Sequence, residues 1–136
     1  MRRGTYCWHA RGVALRCLIV DDNADFLEAA RELLARDGIE VVGVASTSTE
    51  ALQRAAELRP EVTLVDVYLG DESGFNLARQ LAERADGVRS AVILISTYAE
   101  RDFADLIAAS PAAGFLSKSD LSRSAVDKTL GLADNA

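Results

Sequence analysis

The sequence predicts an α/β fold: a parallel sheet of five strands covered by helices on both sides. Three observations predict it. Five short apolar runs recur along the chain. Each is followed by a segment whose apolar residues repeat at helical spacing. No linker or internal repeat interrupts the alternation, and 136 residues leave room for one domain. Strands buried on both faces read as unbroken apolar runs, and parallel neighbours need a crossover helix between them.

The first run is Cys17-Leu18-Ile19-Val20. Asn23 is placed to cap a helix carrying Phe26, Ala30, Leu33 and Leu34, which ends at Gly38. Ile39 to Ala45 is Val-rich and reads as the second strand. Thr47 and Glu50 form a capping-box pattern before a helix carrying Leu52, Ala55 and Ala56, and Pro60 closes that segment. Val62 to Val65 is the third strand. Ser73 opens a helix with Leu77, Ala78 and Leu81 inward. Ala91 to Ile95 is the fourth strand, and Thr97 and Glu100 repeat the capping-box pattern before Phe103, Leu106 and Ile107. Gly114 to Ser117 is a short fifth strand. Ser119 is placed to cap a last helix bearing Leu121, Ala125 and Leu130.

Composition narrows the function. Apolar residues make up 49% and charged residues 26%, enough for one core and unlike collagen-like, low-complexity or disordered chains. The longest apolar runs, such as Ala91 to Ile95, are too short to span a bilayer, so no membrane contact is expected. The net charge of −6 hides an asymmetry: residues 1–20 hold four arginines and no acid. The rest carries 11 basic groups against 21 acids and would repel nucleic-acid phosphates, which argues against direct nucleic-acid binding. Cys7 and Cys17 make no disulfide framework; Cys17 reads as a buried thiol in a reducing compartment. Residues 1–15 lack a hydrophobic period and an apolar signal core. They read as a disordered extension before a domain at 16–132, with 133–136 as a tail and the cytoplasm as the expected location. Cys7-Trp8-His9 is at most half of a metal site, with no second pair of ligands.

The polar residues fall in a pattern. In an open α/β sheet, ligands sit beyond the carboxyl ends of the strands. There the first strand ends in Asp21-Asp22, the third in Asp66, the fourth in Ser96-Thr97 and the fifth in Ser117-Lys118. Taken singly, an Asp is a helix cap or a turn residue and Lys118 a solvated side chain. Together they put three acids, a hydroxyl pair and a lysine on one rim. Clustered carboxylates repel each other unless a cation neutralises them, and oxygen-only ligands suit Mg²⁺. A hydroxyl and an ammonium beside such an ion are parts that hold phosphoryl oxygens, and a screened aspartate can attack phosphorus.

On these stretches the sequence resembles the receiver domain of two-component response regulators. They are Leu18-Ile19-Val20-Asp21-Asp22-Asn23, Leu64-Val65-Asp66-Val67-Tyr68-Leu69, Gly74, Ile93-Leu94-Ile95-Ser96 and Gly114-Phe115-Leu116-Ser117-Lys118. The resemblance covers residues 16 to about 132. It implies the flavodoxin-like, doubly wound five-stranded sheet of order 2-1-3-4-5. It implies Asp66 as phosphoacceptor, Asp22 as a direct Mg²⁺ ligand, Asp21 as a ligand through water, and the Tyr68 backbone carbonyl as the remaining protein ligand. Ser96 would be the switch hydroxyl, Lys118 the phosphoryl-pairing cation and Phe115 the aromatic switch that turns inward. The implied partners are a sensor histidine kinase or phosphotransfer protein and a downstream protein target, met on the face of the fourth helix, fifth strand and fifth helix. A homodimer is compatible with the resemblance.

The sequence departs from the family pattern in three respects. Gly70 stands where proline is usual, which predicts a more mobile loop. Ser119 follows Lys118 where many receivers have proline, and Lys118-Ser119-Asp120-Leu121 resembles the subfamily often joined to a LuxR-type helix-turn-helix. Tyr68 and Tyr98 lie two residues after Asp66 and Ser96, where two rings would either hinder water attack on an aspartyl-phosphate or lie on the surface and serve partner contact. One alternative is the receiver part of a LuxR-type transcriptional regulator. A haloacid-dehalogenase-like phosphatase needs a second Asp two residues after the nucleophile, where this chain has Tyr68. A flavin- or nucleotide-binding domain needs a glycine-rich phosphate loop after the first strand, where Asp21-Asp22 stand.

Overall fold

A computed structural model describes residues 15–83 and 90–131. The first element is β1 (Leu15–Val20), followed by α1 (Ala24–Arg36), β2 (Ile39–Ala45), α2 (Ser48–Leu58) and β3 (Val62–Asp66). Two short strands, β4 (Tyr68–Leu69) and β5 (Glu72–Ser73), precede α3 (Gly74–Ala82). The rest is β6 (Ala91–Ser96), a 3₁₀ turn at Glu100–Phe103, α4 (Ala104–Ala109), β7 (Gly114–Ser117), a 3₁₀ turn at Lys118–Asp120 and α5 (Arg123–Leu130). The large sheet is parallel and ordered β2-β1-β3-β6-β7, which is 2-1-3-4-5 counted over its five strands. The doubly wound α/β fold is as the sequence predicts.

Alternation along the strands explains the two layers. Cys17, Ile19, Val62, Leu64, Ile93 and Ile95 face α1 and α5, where they meet Ala30, Leu34 and Val126. Leu18, Val20, Val65 and Leu94 face the other way, against Ala51 of α2, Leu77 and Ala78 of α3, and Phe103. Both faces are covered, so the central strands β1, β3 and β6 are buried along almost their whole length and read as nearly unbroken apolar runs. Arg16 adds a tie across the bottom of the sheet. Its guanidinium donates to the carbonyls of Leu58 (2.7 Å) and Arg59 (2.8 Å), closing the C-terminal end of α2.

Helix starts follow local chemistry at three of the five helices as expected. Asn23 accepts from the Phe26 N–H at 3.1 Å, Thr47 from Glu50 at 3.1 Å and Ser73 from Phe75 at 3.2 Å. The expected caps at Thr97 and Ser119 do not form. The segment after β6 begins with a 3₁₀ turn flanked by Ala99, without a side-chain cap. Ser119 lies inside the second 3₁₀ turn, its hydroxyl 2.9 Å from that of Ser117, and Ser122 caps α5 by accepting from Ala125 at 3.0 Å. Leu121 therefore precedes the helix. Leu33 and Leu106, named in the apolar periods of their helices, are exposed at 39% and 54%. Leu15, counted with the extension, opens β1 opposite Ile39 and is fully buried. The remainder of the extension, with Cys7-Trp8-His9, and the tail lie outside the described residues. No helix among the described residues is long and apolar enough to cross a membrane.

Candidate functional site

The carboxyl ends of β1, β3, β6 and β7 come together at one rim, as parallel strands in register require. Asp21 follows β1 directly, and its N–H extends the ladder by donating to Ala45 at 3.0 Å. Its carboxylate is wholly buried. Oδ1 accepts from the Asn23 N–H at 2.9 Å, while Oδ2 lies 2.5 Å from Lys118 Nζ. Asp66 ends β3 and is buried; Oδ1 accepts from the Tyr68 N–H at 3.1 Å and Oδ2 from Lys118 Nζ at 2.9 Å. Asp22 is exposed, yet one oxygen from each of Asp21, Asp22 and Asp66 falls within 4.8 Å of the others.

Lys118 thus bridges two acids from different strands. Burial alone would pull its ammonium pKa down. Hydrogen bonds and charge from Asp21 and Asp66 outweigh that, and the pKa lies above the ordinary lysine value. For Asp21 the balance tips the other way: desolvation dominates and holds the pKa above the usual carboxylate range despite Lys118 and the Asn23 N–H.

Ser96 ends β6, buried, with Oγ accepting from the Tyr98 N–H at 3.0 Å. These groups line an open pocket of about 420 Å³, walled also by Tyr68, Tyr98 and Gly70. Tyr68 and Tyr98 are more than half exposed, and their rings meet edge to face with centroids 5.9 Å apart. Both rings contact Phe103 below them, at 5.9 and 6.4 Å, and Phe103 in turn lies 6.1 Å from Phe115. Phe115 is buried, so its ring points inward in this structure.

Of the rim residues singled out from sequence, Asp21, Asp22, Asp66, Ser96, Thr97 and Lys118 line this pocket, while Ser117 does not and turns its hydroxyl to Ser119. Sequence reasoning missed the place of Phe26 at the site, and it quoted Gly74 in the resemblance without giving it a role. Phe26 presents its ring to Lys118, with Nζ 4.3 Å from the centroid. Gly74 packs against the backbone of Asp66: a β-carbon there would stand 2.0 Å from the Asp66 carbonyl oxygen, while the Gly74 N–H donates to Val67 at 2.9 Å. The Gly74 signal was a lone glycine at a helix start.

The loop after Asp66 is a hairpin. Gly70 and Asp71 form a two-residue turn between β4 and β5, with Gly70 at φ +60°. Proline, fixed near φ −65°, has no access to that turn, which is a physical reason for glycine here. The Glu72 carboxylate then accepts from the Ser48 N–H at 2.8 Å, tying the loop to the start of α2.

Three carboxylates with only oxygen donors fit a hard divalent cation such as Mg²⁺. Lys118 places an ammonium between two of them.

Comparison with known proteins agrees with this geometry. A family model described as the response regulator receiver domain matches residues 17–127. The response regulator GacA of Pseudomonas viridiflava is 31% identical over 105 residues, covering 76% of this chain and 48% of GacA. A protein-glutamate methylesterase/protein-glutamine glutaminase of a Nocardioides species is 36% identical over 88 residues, 64% of this chain and 24% of that enzyme. The chain therefore spans a quarter to a half of these curated relatives. Among solved structures, the signal receiver domain of the putative response regulator NarL from Mycobacterium tuberculosis superposes with a TM-score of 0.74 at 26% identity, covering 90% of this chain and 98% of that one. A buried carboxylate pair bridged by lysine at the strand ends of a 2-1-3-4-5 sheet, matched by the family model over most of its length, places this chain in the response regulator receiver family.

Proposed function

We propose that the domain accepts a phosphoryl group on Asp66 from a sensor histidine kinase or phosphotransfer protein, and that this switches its contacts with a downstream protein. The observation that carries the reading is Lys118 held between Asp21 and Asp66 beside the buried Ser96 hydroxyl. In the transfer, an Asp66 carboxylate oxygen bonds to phosphorus while the bond from phosphorus to the donor's imidazole nitrogen breaks, its electron pair staying on that nitrogen. Mg²⁺, held by Asp21, Asp22, Asp66 and the Tyr68 carbonyl, would supply positive charge to the phosphoryl oxygens. The Tyr68 N–H fixes the rotamer of Asp66, Lys118 follows the incoming charge, and Ser96 offers a hydroxyl to a phosphoryl oxygen.

Switching is a population shift between loop arrangements. Reversing a strong bias takes about 5.5 kcal/mol of differential interaction, which two or three charge-assisted hydrogen bonds in a partly dry pocket supply. The inward Phe115 and the exposed Tyr98 and Leu106 support the α4–β7–α5 face as the partner surface. The domain turns over no metabolite; it catalyses its own phosphoryl uptake and loss.

A second reading differs only in output. It makes this chain the receiver part of a longer, LuxR-type regulator, and its support is that the chain spans 48% of GacA and resembles a solved two-component response regulator of the LuxR family. A helix-turn-helix encoded downstream in the same frame would support it.

Acetyl phosphate with Mg²⁺, followed by intact mass, tests the phosphoacceptor. One added phosphoryl group that disappears in Asp66→Ala is expected. A full gain in the variant would overturn the assignment.

A further inference from the structure

A closed circuit of contacts runs through the first turn of α1. Asp21 Oδ1 accepts from the Asn23 N–H (2.9 Å), and the Asn23 side chain accepts from the Phe26 N–H (3.1 Å). The Phe26 ring meets Lys118 Nζ at 4.3 Å from its centroid, and that same Nζ returns to Asp21 Oδ2. The cap that starts the helix therefore also fixes where an aromatic face sits above the site lysine.

We infer that Phe26 is a positioning residue for Lys118, steering its ammonium onto the Asp66 carboxylate that accepts the phosphoryl group. This deepens the phosphoacceptor reading and rests on it. A lysine ammonium is a point charge on a flexible four-carbon stem with many rotamers to lose. Two carboxylates attract it but leave its approach open over the α1 side. Phe26 closes that side: the negative face of the ring attracts the cation. Unlike a third carboxylate, the ring is uncharged, so it holds Lys118 without cancelling the charge that must pair with phosphoryl oxygens. Phe26 is half-buried against the core, so the ring is itself fixed.

The chain has only two lysines, Lys118 and Lys128, which makes a direct test simple. In protein carrying ¹³C-labelled lysine, the ε-methylene protons of Lys118 are expected upfield of those of Lys128, shifted by the ring current. Phe26→Leu, which keeps an apolar side chain of similar bulk, is expected to abolish that shift; Phe26→Tyr is expected to retain it. In the same proteins, phosphoryl uptake from acetyl phosphate with Mg²⁺ is expected to slow about 2- to 30-fold in Phe26→Leu, the span of a cation–π contact, and to recover in Phe26→Tyr. Thermal melting confirms that each variant is folded before either reading is taken. An unshifted Lys118 signal in the wild type, or an unchanged uptake rate in Phe26→Leu, overturns the assignment. Absence of uptake in the wild type overturns the phosphoacceptor reading instead, and the lysine signal then decides the positioning by itself.

Discussion

A β-carbon added at Gly74 would meet the backbone carbonyl oxygen of Asp66 at 2.0 Å. The start of α3 is thus pressed against the end of β3, and only a residue without a side chain fits between them. The contact is backbone to backbone, so no flexible side chain is available to give way.

Gly74→Ala is therefore expected to destabilise the fold by about 1–3 kcal/mol, the range for overpacking a tight contact, and to displace Asp66. Urea denaturation reads the first effect and phosphoryl uptake the second. An unchanged midpoint with unchanged uptake would show that the contact is softer than its geometry.

The turn at Gly70 makes a prediction opposite to the family pattern. Gly70 has φ +60°, and a proline there would have to leave the β4–β5 turn. Gly70→Pro is expected to lower the unfolding free energy by about 1 kcal/mol or more, and Gly70→Asn by less, because asparagine tolerates the left-handed region. Paired chemical denaturation curves check this; a stabilised proline variant would contradict it.

Tyr68 and Tyr98, ring to ring at 5.9 Å, stand at the mouth of the pocket holding Asp66. We propose that they hinder the approach of water to an aspartyl-phosphate. The double variant Tyr68→Asn with Tyr98→Ala is expected to lose its phosphoryl group several-fold faster. Loss of the added mass over time reads this, and an equal or slower rate removes the shielding role.

Burial pushes the Cys17 thiol from 9.0 up to about 12, despite a backbone hydrogen bond that opposes the shift. The folded chain keeps a proton that the unfolded chain sheds. Its contribution to stability is full below pH 9 and is lost progressively between pH 9 and pH 12. In a Cys7→Ser background, Cys17 is expected to resist Ellman's reagent at pH 8 until urea unfolds the protein. Rapid native-state labelling would contradict its burial.

Much of this was legible in the sequence because two-sided burial leaves an unmistakable trace. Strands such as Leu18–Val20 and Ala91–Ile95 had to be apolar throughout, and the polar residues that end them had to share a rim. What failed were local signals with a competing local option. Ser119 resembles a helix cap, but it sits in a 3₁₀ turn with its hydroxyl against Ser117, and the cap passes to Ser122. Thr97 with Glu100 fits a capping box, but the chain enters α4 through a 3₁₀ turn instead. Leu33 and Leu106 fit the helical period yet fall at its margins and remain exposed. Phe26 over Lys118 joins residues far apart in sequence, and no spacing rule encodes such a contact.

The central claim is that the Asp21–Asp22–Asp66 cluster with a divalent ion makes Asp66 the phosphoacceptor. The most direct measurement is intact-mass phosphoryl uptake from acetyl phosphate across a Mg²⁺ series, with the modified residue located by peptide mapping. Uptake on Asp66 that rises with Mg²⁺ and vanishes in EDTA is the predicted result. Uptake indifferent to Mg²⁺, or mapped to a different side chain, would contradict it.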